Sequence, residues 1–215
     1  MSELLLKAVI AYLLGSLVGS LVLRPLHGVD VRSTGSGNAG ATNALRALGS
    51  KAALAVLIID IAKGWLATAV IAPWAVPPAL AAPAEARAWC VPVCALAVML
   101  GHVYPLWYGF RGGKGVATLL GVVLGVTPWL LLPMILVWLA TVILTGFVSL
   151  GSILATAALA ASLAARNATP PLLAFGVLAL LFVAFTHRGN IARMRAGTEA
   201  RARRLWLLGM RRGGA

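Results

Sequence analysis

Apolar residues fall in long blocks at about 4–23, 51–72, 89–107, 116–126, 129–146, 151–166 and 171–187, and the glycine-rich, basic and amide-bearing stretches lie between them. A helix needs about 20 consecutive apolar residues to cross a bilayer core. The pattern therefore predicts an all-α, polytopic membrane helix bundle of seven transmembrane helices. The run 116–146, about 31 residues, exceeds what one span needs, and Thr127-Pro128 supplies a turn that divides it. The segment 116–126 is short for a span, so five or six helices is the alternative count.

Charge sets the orientation. With the N-terminus outside, Arg24, Arg32, Arg46, Lys51, Arg111, Lys114 and the arginines from Arg188 to Arg212 fall on the inner face, and only Lys7, Arg87 and Arg166 on the outer one. Basic loops stay on the cytoplasmic side, so the C-terminus is cytoplasmic. The segments 24–50, 105–115, 147–151 and the tail after 187 then share that side, and they contain every unusual polar motif of the chain. The outside segment Pro73 to Ala88 holds four prolines and reads as a linker on the membrane surface.

Composition agrees. Of 215 residues 61% are hydrophobic and mean hydropathy is +0.96, which excludes a soluble domain. The net charge of +13 sits in short loops and in the tail, where it serves topology and anionic lipid; no nucleic-acid partner is expected. One domain spans 1–215, with a basic interfacial tail at about 191–215 in which arginines alternate with Leu205, Trp206, Leu207 and Leu208. The first run, Leu4 to Leu23, reads as a retained helix and not a signal peptide. The five acidic residues are scattered, which argues against a two-metal carboxylate site, and Cys90 and Cys94, four apart in an apolar run, read as packing residues. No metal and no cofactor is expected.

Candidate chemistry sits in the inner segments. Phe110-Arg111-Gly112-Gly113-Lys114-Gly115-Val116-Ala117-Thr118 can cradle a phosphate with backbone N–H groups and two cations, or be a basic turn that only fixes topology. It is not a Walker A loop, because Tyr108 and Gly115 stand where that motif needs Gly and Ser or Thr. Gly35-Ser36-Gly37-Asn38-Ala39-Gly40-Ala41-Thr42-Asn43, followed by Arg46, packs small donors beside a planar guanidinium, a second anion site or an ordinary turn before a helix. Asp60 and Lys63, three apart in an apolar run, share a helical face; beside Gly64 they form an internal ion pair or serve the site directly. His102 reads as an anchor or a base, Ser149 and Ser152 as pocket lining or helix-packing hydroxyls, and His187 with Asn190 as a substrate clamp or a helix cap.

No Gly-x-Ser-x-Gly elbow, Ser-His-Asp set, repeated-aspartate phosphatidyltransferase pattern or His-x4-Asp acyltransferase box occurs. What remains suits a phosphorylated substrate on the cytoplasmic side and an acyl chain in the membrane. A second class stays open on the residues alone, a membrane transporter of a phosphorylated solute; it predicts inverted repeats and polar residues on both faces, and the sequence shows neither.

SGNAGATN at 36–43, DIAKG at 60–64, GHVYP at 101–105, FRGGKGVAT at 110–118, SLGS at 149–152 and HRGN at 187–190, in this order, resemble the bacterial acyl-phosphate:glycerol-3-phosphate acyltransferase family over nearly the whole chain. The resemblance implies a multi-pass inner-membrane enzyme with its site facing the cytoplasm. Such an enzyme moves a fatty acyl group from acyl-phosphate to the 1-hydroxyl of glycerol 3-phosphate and releases lysophosphatidic acid and phosphate, the first step of bacterial phospholipid synthesis. It implies catalytic roles for Ser36, Arg46, Lys114, His187 and Asn190. Substrate binding would fall to Gly37, Asn38, Gly40, Thr42, Asn43, Arg111, Gly112, Gly113, Gly115, Thr118, Ser149 and Ser152, with Asp60, Lys63 and His102 in support. The basic tail would meet lipid, an acyl-phosphate-producing enzyme, or both. The sequence departs from the family at Arg111, where Lys is usual, and in Gly15-Ser16-Leu17-Val18-Gly19, which lacks the proline often found after the first Gly-Ser.

Overall fold

The first apolar run does not continue as one helix, even without that proline. In the computed structural model, which describes residues 2–202 and 205–207, helix α1 (Ser2–Gly15) stops at Gly15, and the short helices Gly19–Val22 and Arg24–His27 follow. Groups freed by the break are answered by buried side chains of the second run: Lys63 donates to the carbonyls of Gly15 and Leu17 at 2.9 and 3.1 Å, and the Gly19 N–H donates to Asp60 at 3.1 Å. A break inside apolar surroundings persists only when its backbone groups are paired in this way.

The chain gathers into two compact units, Met1–Pro128 and Trp129–Ala215. The first contains α1, α2 (Ala41–Leu48), α3 (Ser50–Leu66, continued by a π-helical turn at Ala67–Ile71), α4 (Cys90–Val103) and α5 (Val116–Val126). Helix α1 runs against α4 and α3 against α5. Both contacts are backbone to backbone: a Cβ on Gly64 would strike the Thr118 carbonyl, and one on Gly101 the Tyr12 carbonyl. Small residues permit this approach where helices gain no hydrophobic drive from lipid. Under the first glycine-rich loop, Val18, Leu21, Val31, Ala39, Ala44, Ala53 and Val56 form a closed apolar cluster with Tyr108 packed on it. Near the start of α1, buried Lys7 donates to Glu3 and to the Ala72 carbonyl, both at 2.7 Å, and Glu3 accepts from the Ala82 N–H at 2.8 Å. The proline-rich segment is thereby fastened to α1.

The second unit contains α6 (Leu131–Thr145), α7 (Val148–Ala165), α8 (Pro170–Thr186) and α9 (Arg188–Arg195), the last two meeting at a 56° bend. Antiparallel contact joins α6 to α7 and α7 to α8. The chain divides at Thr127-Pro128 as the sequence indicates, α5 ending at Val126 and a 3-10 turn at Pro128–Leu130 leading into α6.

Four helical stretches among the described residues are long and apolar enough to cross a membrane: Ser50–Ile71, Ala84–Tyr108, Pro128–Thr145 and Val148–Ala165. The pair Pro170–Thr186 and Arg188–Arg195 makes a fifth if counted as one bent span, and Val116–Val126 is a shorter apolar helix. Leu132, Leu136, Leu144 and Leu181 are exposed on these helices, a surface that suits lipid. The protein is an all-helical integral membrane protein.

The tail does not run on as a helix beyond Arg195. Residues 196–202 turn back, the Ala202 N–H donates to the Gly146 carbonyl at 2.8 Å, and the Arg201 guanidinium lies between the rings of Phe147 and Trp206 at 4.5 and 4.2 Å. The rest of the expected interfacial tail, 203–204 and 208–215, lies outside the described residues.

Candidate active site

Each glycine-rich loop of the first unit runs into the N-terminus of a helix. The first loop leads into α2 through Gly40, and the second leads into α5 through Gly115, whose φ of +86° is the left-handed conformation that favours glycine. Helix N-termini present N–H groups without intrahelical acceptors and a positive dipole end, so both of these loop-to-helix junctions suit a phosphate. In these loops and first turns Ser36, Thr42 and Arg111 are exposed and Asn38 and Lys114 half-buried, and Arg46 is exposed in the last turn of α2. Lys114 immediately precedes Gly115.

The two loops are joined by Arg32, which the sequence offered only as a topology charge. Its guanidinium donates to the carbonyls of Tyr108 and Arg111, both at 3.0 Å, and pairs with Asp30 at 2.7 Å. The hydrogen bond from Arg32 holds the Asp30 carboxyl well below the usual range, at about 2, outweighing the opposing effect of burial. Two loops far apart in sequence thus share one charged fastener, with Arg24 a further 3.5 Å partner of Asp30.

Asn43 is buried and its amide is spent inside the first loop. Its Oδ1 accepts from the Ser36 N–H at 3.0 Å, and its Nδ2 donates to the carbonyls of Val31 and Thr34 at 2.7 and 3.0 Å. It shapes the loop that presents Ser36. In the second loop the N–H groups of Gly112 and Gly113 donate to the carbonyls of Val103 and His102. An anion there would consequently be met by Lys114 and the first turn of α5. Thr118 is buried, with no partner for its hydroxyl among the described residues. Asp60, Lys63 and His102 cluster below this loop: Lys63 Nζ is 2.9 Å from Asp60 Oδ1 and 2.8 Å from His102 Nδ1.

In the second unit Ser149, Ser152, His187 and Asn190 are all buried. Ser152 donates to the Val148 carbonyl of its own helix at 3.0 Å. His187 sits at the bend between α8 and α9, its Nδ1 2.8 Å from the Val183 carbonyl. A carbonyl only accepts, so the proton is assigned to Nδ1 and Nε2 is the basic nitrogen. Glu199, absent from the sequence-derived site, organises this cluster. Its Oε1 accepts from Ser149 Oγ at 2.9 Å and from Asn190 Nδ2 at 2.6 Å, and its Oε2 from Arg193 at 2.7 Å. Burial alone would push this carboxyl up; the three donors outweigh it and hold it below its ordinary value. Its partners lie 50, 9 and 6 residues away in the chain, so no local motif marked it.

Known proteins resemble this chain in sequence and in fold. Residues 5–197 match the family model described as glycerol-3-phosphate acyltransferase. Among relatives of that name, one from Geobacter sulfurreducens is 43% identical over 207 residues, covering 94% of this chain and 98% of the relative; one from Aquifex aeolicus is 40% identical, covering 92% and 98%. The crystal structure of PlsY (YgiH), an integral membrane glycerol 3-phosphate acyltransferase, in its glycerol 3-phosphate form superposes with a TM-score of 0.81 at 37% identity, covering 92% of this chain and 94% of that one. Its lysophosphatidic acid form gives 0.79 at 36% identity over the same shares. With the match extending over nearly the whole chain and over both glycine-rich loops, this protein belongs to the glycerol-3-phosphate acyltransferase family.

Proposed function

We propose that this protein transfers a fatty acyl group from acyl-phosphate to the 1-hydroxyl of sn-glycerol 3-phosphate. The observation that carries the reading is the pair of glycine-rich loops, joined by Arg32, each leading into a helix N-terminus, the second with half-buried Lys114 at the junction and the first with exposed Arg46 in the last turn of the helix it opens. Two places suited to phosphate match a reaction in which both substrates carry one. Relatives solved with glycerol 3-phosphate and with lysophosphatidic acid support the same reading.

Acyl-phosphate is already activated, so no covalent nucleophile is required. The glycerol hydroxyl oxygen bonds to the acyl carbon, the bond from that carbon to the phosphate oxygen breaks, and inorganic phosphate leaves. The hydroxyl proton goes to His187 Nε2 or directly to a phosphate oxygen of the donor. Arg46 and Lys114 hold phosphate charge, Ser36 and Asn190 orient the reacting groups, and helix-terminal N–H groups of the loops stabilise the developing oxyanion. The seven apolar runs are seven spans with the N-terminus outside, the loops face the cytoplasm, and the enzyme resides in the bacterial inner membrane. The basic tail meets anionic lipid or the enzyme that supplies acyl-phosphate.

The test incubates the purified protein in lipid with labelled glycerol 3-phosphate and either palmitoyl-phosphate or palmitoyl-CoA. Lysophosphatidic acid forms from palmitoyl-phosphate alone, and Lys114→Ala lowers the rate roughly 10²–10³-fold. Product from palmitoyl-CoA alone overturns the donor, and no product from either overturns the reaction. Near-normal turnover in His187→Ala assigns the proton to the donor phosphate.

A further inference from the structure

We propose that Asp60, Lys63 and His102 are positioning residues for the reaction, a buried unit that fixes the place of the Arg111–Gly115 loop against the break after α1. The inference rests on the acyl-transfer reading above.

The three side chains are essentially inaccessible, with 0%, 3% and 2% of their surface exposed. Ionisable groups at such depth are costly and persist when paired and used. Lys63 Nζ lies 2.8–3.1 Å from four groups, the carbonyls of Gly15 and Leu17, Asp60 Oδ1 and His102 Nδ1, and His102 Nδ1 is also 3.3 Å from Asp60 Oδ1. These contacts hold the Nδ1 edge of the His102 ring against the ion pair and leave the Nε2 edge opposite. That opposite edge of the ring lies under Gly113, where an added Cβ would strike Nε2 and approach Cε1 at 2.9 Å. The backbone on either side repeats the contact, since the Gly113 and Gly112 N–H groups donate to the carbonyls of His102 and Val103 at 3.1 and 3.0 Å.

A pair needed only to neutralise itself could sit anywhere along α3. This one closes the α1 break at three backbone groups and reaches the loop through an imidazole. The same break leads to Ser20, whose hydroxyl donates to the Ala39 carbonyl of the first loop at 2.6 Å. Both phosphate-facing loops are therefore referenced to one buried charge cluster. Lys114 follows Gly113 directly, so a shift of the ring moves the cation and the start of α5 together.

Kinetics in lipid test this, with the unfolding temperature measured alongside. His102→Ala lowers kcat/KM roughly 10²-fold, the cost of misplacing a binding group by about 1 Å, and the loss appears mainly as a raised KM for glycerol 3-phosphate. Gly113→Ala, which pushes on the same ring, does likewise. The double variant loses no more than the worse single, because both disturb one contact. Additive losses, or a KM unchanged in His102→Ala while only folded yield or unfolding temperature falls, overturn the proposal. If His102→Ala does not fold, His102→Gln keeps an acceptor for Lys63 without the flat ring: a raised KM with kcat within a few-fold supports the proposal, and an unchanged KM overturns it. Failure of the wild-type protein to make lysophosphatidic acid is a separate result, which removes the reaction and not the contact.

Discussion

Replacing Glu199 tests the organisation of the second unit. In Glu199→Gln the side chain keeps its length and one acceptor oxygen, so Ser149 and Asn190 can still donate to it. The amide nitrogen then faces Arg193 Nε, donor against donor, in place of a 2.7 Å charge-assisted bond. Hydrogen bonds to charged groups contribute about 1.5–3 kcal/mol each. Arg193 is 45% exposed, so the Arg193 contribution is discounted for solvent screening to about 1 kcal/mol, and the loss of charge on the other two bonds adds about 1 kcal/mol more. A total near 2 kcal/mol raises the population of the undocked tail about thirty-fold. Glu199→Ala removes all three acceptors and costs more, since Ser149 and Asn190 stay buried with unmet donors. The assay is limited trypsin cleavage after Arg201, which is held between Phe147 and Trp206 while the tail is docked. Cleavage should accelerate by about that factor in Glu199→Gln and further in Glu199→Ala, with acyl transfer falling in the same order. Equal cleavage rates in wild type and Glu199→Ala would refute the claim that this carboxylate secures the tail.

Arg32→Lys removes the planar fork that reaches two carbonyls and a carboxylate together, and should raise KM for the phosphate substrates roughly ten-fold while folding is retained; unchanged kinetics would show that the loops hold their places without it. Asp30 has its folded pKa depressed to about 2, so its contribution is present above the unfolded value, about 3.9, and is lost as pH falls through the folded one. The stability difference between wild type and Asp30→Asn should therefore be constant at neutral pH and shrink from about pH 4 towards 2, as followed by unfolding at fixed pH. Gly64→Leu sets a side chain against the Thr118 carbonyl and should destabilise the protein by about 1–3 kcal/mol or more, read as a lower unfolding temperature.

The apolar runs and the turn at Thr127-Pro128 were legible because lipid imposes one demand on every residue of a span. The Asp60–Lys63 pair was legible for a similar reason: its spacing is local and its residue types are out of place there. His102, 39 residues beyond Lys63, joins that pair only through the packing of α4. Arg32 reaches Tyr108 and Arg111 across 76 and 79 residues and binds their carbonyls, so no residue identity at the far end advertises the contact. Asn43 stands in a motif dense with donors, but composition does not say which donors a loop consumes in holding its own shape. The break after Gly15 was hidden because the residues that answer it belong to another helix.

The fastening of α1 near Lys7 has a consequence for how the protein is made. Lys7 and Glu3 leave the ribosome well before the groups that complete their neighbourhood, the Ala72 carbonyl, the Ala82 N–H and the Cys90 thiol, which follow 65, 79 and 83 residues after the side chains they meet. Until then a buried ammonium has only Glu3 for company, in surroundings that penalise it. Helix α1 is therefore a provisional tenant during synthesis, reaching its final seat after α3 and the start of α4 have emerged.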